Sequence, residues 1–133
     1  MKPQAERIEG TNAIARHSPQ GVIVNGVEHR SSVLVPWRGA VQAWPVQRFE
    51  ELGEGHFEAI ARLKPELVVF GSGARLRFVR PALLRSLIDA RIGIETMDSP
   101  AACRTYNVLL AEGRSVVAAL VFEATEDAAD TAR

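Results

Sequence analysis

Lysine and cysteine are both scarce in this chain. Of sixteen basic side chains, only Lys2 and Lys64 are lysines and fourteen are arginines, a skew that genomic base composition accounts for. The one cysteine, Cys103, excludes an intramolecular disulfide and fits a reducing compartment. No apolar run approaches the roughly 20 residues of a membrane-crossing helix, and the opening MKPQAERIEG lacks the apolar stretch of a secretory signal. A soluble, cytoplasmic protein is therefore expected. Neither charge sign is in excess, since sixteen acids offset the sixteen bases, so nothing global points to nucleic acid or a membrane surface. Metal patterns are missing as well. There is no C-x-x-C, no H-x-x-x-H, no carboxylate loop and no Walker-type G-x-x-x-x-G-K, so neither a metal nor a cofactor is expected.

What is present suits one domain. A chain of 133 residues with 47% apolar side chains can bury roughly two thirds of its unfolded surface without a staple. Residues 1–12 are polar and aperiodic and read as a mobile arm. Residues 123–133 hold four acids against one arginine and read as an acidic tail, which leaves 13–122 as the folded unit.

Within that unit the clearest local signal is GVIVNGVEHRSSVLVPW at 21–37. Asn25-Gly26 tolerates the positive φ of a type I′ turn and would pair Val24 with Val27 and Ile23 with Glu28. A short strand is expected at 41–44. The chain then alternates: a helix at 55–64 stopped by Pro65, the β-branched strand LVVF at 67–70, and a helix at 81–90 striped by Leu83, Leu84, Leu87 and Ile88. A strand at 92–97, a helix at 99–113 and a last strand at 115–122 follow. This βαβαβ segment with short connections predicts parallel pairing, hence an α/β fold with an antiparallel hairpin attached.

The stretch ETMDSPAACRTYNVLLAEGR (95–114) concentrates polar chemistry at a helix start. Ser99 before Pro100 reads as an N-cap, Gly113 as a left-handed helix end, and Ala102, Tyr106, Leu109 and Leu110 as the core stripe. Cys103, Arg104 and Asn107 are spaced to form one patch. If the strands are parallel, this helix start and the Gly71-Ser72-Gly73 turn open on one sheet edge, where α/β folds bind ligands. A composite site of Gly71, Ser72, Gly73, Ser99, Arg104 and Asn107 for a carboxylate or phosphate follows as one expectation. The other is structural: Ser99 caps, the glycines turn the chain, Asn107 ties a neighbouring loop, and Arg104 pairs with Asp98 or Glu95.

Further candidates weaken on inspection. GSGARL opens like a dinucleotide fingerprint, but Leu76 holds the third glycine position. Cys103 lacks a histidine nearby in sequence and is expected to be buried. Arg75, Arg77, Arg80, Arg85 and Arg91, interrupted only by Asp89, could receive an acidic partner or RNA; with Phe78 the one ring nearby, a solvated face is favoured. Trp37 and Trp44 are expected in the core, and Glu95 at a strand end beside an arginine.

VVFGSG (68–73) together with IGIETMDSPAACRTYNVLLAEGR (92–114) and the apolar strand after it resembles the Mth938-type domain family of unknown function. That family includes bacterial and archaeal single-domain proteins and the mitochondrial assembly factor three of respiratory complex I. The resemblance spans about residues 20–122 and implies a three-layer α/β domain with a mixed central sheet. It carries no catalytic residues, and implies a non-enzymatic interaction or assembly module with protein partners. A small-anion binding protein or an enzyme using the composite edge site is the alternative. A homodimer is compatible with such a domain, though no residue demands one.

Overall fold

The computed structural model describes residues 10–123; positions 1–9 and 124–133, most of the expected arm and tail, lie outside them. Asn25 and Gly26 adopt φ of 52° and 81°, and the hairpin they close has the register that a two-residue turn dictates. Its strands are β2 (Gly21–Val24) and β3 (Val27–His29), and β1 (Ile14–Ser18) joins them as a third antiparallel strand. β1 escaped sequence reading because four of its five residues are exposed, leaving no alternation to detect.

The expected return strand does not run through to Trp37. It breaks at Arg30–Ser32, and β4 (Val33–Pro36) enters a second sheet. Ser32 is buried at the break, its hydroxyl accepting the Phe122 N–H at 2.9 Å and its carbonyl accepting the Trp44 N–H at 3.0 Å. The second sheet holds β5 (Gln42–Ala43), β4, β8 (Val116–Leu120), β6 (Leu67–Gly71) and β7 (Gly93–Met97), in that order. β6 runs parallel to both β7 and β8, while β4 is antiparallel to β8, so the sheet is mixed.

β8 shows why three layers form. Every residue of it is buried, Val116, Ala118 and Leu120 facing one core and Val117 and Ala119 the other. The first core is closed by α3 (Ser99–Ala111) and the three-stranded sheet, through Val22, Val24, Ala102, Cys103 and Tyr106. The second is closed by α1 (Glu54–Ala61) and α2 (Arg85–Asp89), with Trp44, Phe57 and Phe70 meeting edge to face. Trp44 is buried as expected, its indole N–H donating to the His56 carbonyl at 3.1 Å. Trp37 packs half-buried against both cores.

The helix expected at 81–90 is instead a 3₁₀ turn (Pro81–Leu84) followed by the short α2. A 3₁₀ turn has about three residues per turn rather than 3.6, so the apolar stripe rotates across the junction. Leu87 is buried, and Leu83 and Leu84 pack partly, but Ile88 points outward at 61% exposure.

Candidate functional site

Gly71, Ser72, Gly73 and Ser99 do meet at the carboxyl edge of β6. The Ser99 N–H donates to the Gly73 carbonyl at 2.8 Å, and the Gly73 N–H donates to Ser99 Oγ at 2.9 Å. Ser99 Oγ spends its own proton on the Val121 carbonyl at 2.9 Å. Ser72 Oγ donates to the Arg75 carbonyl at 2.7 Å and accepts the Arg77 N–H at 2.9 Å. Gly71 lets α3 approach: a Cβ there would lie 2.8 Å from both the Cα and the Oγ of Ser99. Gly73, at φ 108°, turns the chain away from the sheet. Both serines are buried, and both hydroxyls are consumed within the protein. The geometry is that of a clasp joining β6, α3 and the chain after β8.

The helix cap is Asp98 rather than Ser99. Its Oδ1 accepts the Ala101 N–H at 2.8 Å, which moves Ser99 into the first turn and frees its hydroxyl for the clasp. Asn107 is committed as well. Its Oδ1 accepts the Ile14 N–H at 2.9 Å and its Nδ2 donates to the Ile14 carbonyl at 2.8 Å, so it holds β1 against α3. Arg104 is exposed and makes no ion pair with Asp98, Glu95 or any other described residue. Glu95 itself is exposed midway along β7, an edge strand, and has no arginine partner among the described residues. Thus Arg104 and Asn107 do not join the four clasp residues.

Cys103 is fully buried, and burial pushes its thiol up to about 12 despite the neighbouring Arg104 charge. Beside it Tyr106, whose phenol burial also raises, donates to the Asn12 carbonyl at 2.7 Å, with the Pro36 carbonyl at 3.1 Å. Asn12 is a buried hub: its Nδ2 donates to the Pro36 and Gly39 carbonyls, and its Oδ1 accepts from Asn25 Nδ2 at 2.7 Å. Sequence reasoning assigned Asn12 to the arm because its partners stand up to 94 residues away.

The arginine-rich stretch divides in two. Arg77 turns inward, where its guanidinium lies 4.5 Å from the centre of the Phe49 ring, donates to the Ser72 carbonyl, and meets Glu123 Oε2 at 2.9 Å. Glu123 also accepts the Phe49 N–H at 2.7 Å. Desolvation raises its carboxyl, but the Phe49 N–H and Arg77 outweigh that and leave it below the usual range. Glu123 therefore belongs to the packed unit rather than to a solvated tail. Arg75, Arg80, Arg85 and Arg91 remain exposed and unpaired among the described residues, beside the exposed Leu76 and Phe78. No described group of histidine, cysteine and acidic residues could hold a metal ion, and no described helix is long and apolar enough to cross a membrane.

Residues 14–121 match the family described as "Protein of unknown function (DUF498/DUF598)". Among curated proteins, NADH dehydrogenase [ubiquinone] 1 alpha subcomplex assembly factor 3 of Bos taurus is 34% identical over 81% of this chain. The chain spans 59% of that relative's length. The crystal structure of a Bordetella parapertussis protein is similar at TM-score 0.80 and 35% identity, covering 86% of this chain and 98% of that one. The solution structure of a Bordetella pertussis protein described as a Mth938-like domain is similar at TM-score 0.81 and 27% identity, covering 97% and 98%.

Proposed function

From the premise that this chain belongs to the DUF498/DUF598 family, we propose that it is a non-enzymatic assembly module that binds protein partners during construction of a respiratory NADH dehydrogenase. One observation carries the reading: 34% identity over 81% of the chain to a protein named as an assembly factor of that complex. Supporting it, the polar residues clustered at the sheet edge are spent on internal hydrogen bonds, so we assign no ligand to the clasp. We further propose the cytoplasm as its location.

The test is deletion of the gene in cells that make this dehydrogenase, followed by native gel separation of their membranes. Less assembled complex and more partial assemblies, restored by the re-expressed chain, are expected. Unchanged amounts of intact complex would sink the proposal.

A further inference from the structure

Resting on the assembly reading, we infer that the surface running from the 74–80 loop onto the outer side of α2 docks an acidic segment of a protein partner. Apolar side chains of that segment enter the groove between Pro81 and Ile88, and its carboxylates meet Arg85 in the groove and the exposed arginines of the same stretch.

Uncommitted charge is the first argument. Arg77 is consumed internally, but Arg75, Arg80, Arg85 and Arg91 are exposed and join no ion pair among the described residues, and Asp89 is the one acid in the stretch. Apolar exposure is the second. Leu76, Phe78 and Ile88 are 52%, 71% and 61% exposed, and make up three of the five large apolar side chains left open among the described residues. Pro81, Ala82, Arg85, Ile88 and Asp89 line a shallow groove of about 340 Å³ on this side. The third is rigidity. Ser72 Oγ, the Phe49 ring and Glu123 grip Arg77, so its neighbours Leu76 and Phe78 are held outward before any partner arrives.

The chemistry selects the partner. Guanidinium groups match carboxylates with paired hydrogen bonds, and arginine is enriched among the residues that carry protein binding energy. RNA would need stacking rings, and Phe78 stands alone. Asp89 in the groove wall opposes an anionic lipid surface, whereas a protein segment can place a donor there.

Photocrosslinking in living cells tests this, with Phe78→benzoylphenylalanine and Ile88→benzoylphenylalanine variants and a Val27→benzoylphenylalanine control on the hairpin turn. All three positions are exposed, so each variant is expected to melt like the parent chain. The expected product at 78 and 88, but not at 27, is a segment of another protein rich in Asp and Glu beside apolar residues. Its yield should fall to background when Arg75→Glu and Arg85→Glu are added. Adducts with lipid, RNA, a second copy or residues 124–133 of the same chain would overturn the inference. So would a segment without acids, indifference to charge reversal, or no adduct at all. A partner captured only from position 27 would remove this surface and leave the assembly reading standing, whereas an unchanged dehydrogenase in the deletion strain would remove that reading by itself.

Discussion

Replacing Asn107 with alanine should loosen the fold without touching any partner surface. The amide makes two hydrogen bonds, accepting from the Ile14 N–H and donating to the Ile14 carbonyl, and Ile14 is 4% exposed. Truncation strips the part-buried Ile14 N–H and carbonyl of their side-chain partner. At about 1 kcal/mol for each lost bond, the cost is about 2 kcal/mol. For a chain of this size that lowers the melting temperature by roughly 6–12 °C. Total stability of about 5–15 kcal/mol leaves the variant folded at room temperature, so the difference is measurable by circular dichroism melts and urea titration. Arg104→Ala is the control: three residues away on the same helix, exposed and unpaired among the described residues, it should melt within about 0.5 kcal/mol of the parent. If Asn107→Ala melts with the parent, the bond between α3 and β1 contributes nothing and the reasoning is wrong. Equal losses from both variants would mean that Arg104 has a structural role the geometry does not contain.

Three further outcomes are expected. Gly71→Ala places a methyl group 2.8 Å from the Ser99 backbone and should cost about 1–3 kcal/mol, read from urea titration; a neutral result would mean that α3 can slide. Cys103, buried with its thiol raised to about 12, should resist Ellman's reagent at neutral pH until denaturant is added, and prompt reaction of the native chain would contradict its placement. Glu123 contributes stability above the usual carboxylate range that is lost as pH falls through its lowered folded value. The gap in melting temperature between the parent and Glu123→Gln should therefore be present at neutral pH and close as the pH falls through that lowered value; a gap that persists in stronger acid would exclude the ion pair as its cause.

Local chemistry determined a good part of this protein. Asn25-Gly26 settled its own turn and the register beside it, because two residues able to take positive φ leave a hairpin one close-fitting solution. The run LVVF carried burial on both faces in its composition, and alternation of strands with helices carried the parallel pairing. Tyr106 was legible as core from helical spacing, and Cys103 from the tendency of a free cysteine to be buried. The clasp was legible only as proximity: parallel strands bring Gly71, Ser72, Gly73 and Ser99 to one edge, but whether a serine hydroxyl meets a ligand or a carbonyl depends on residues far along the chain. The Val121 carbonyl and the Asp98 cap decided that, as the Ile14 backbone did for Asn107. Tertiary structure alone also buried Asn12, split the return strand at Ser32, and turned Arg77 inward while leaving its neighbours out. Hydrogen bonds and ion pairs between distant segments have no periodicity, so a polar side chain's role stays open until the fold places its partner.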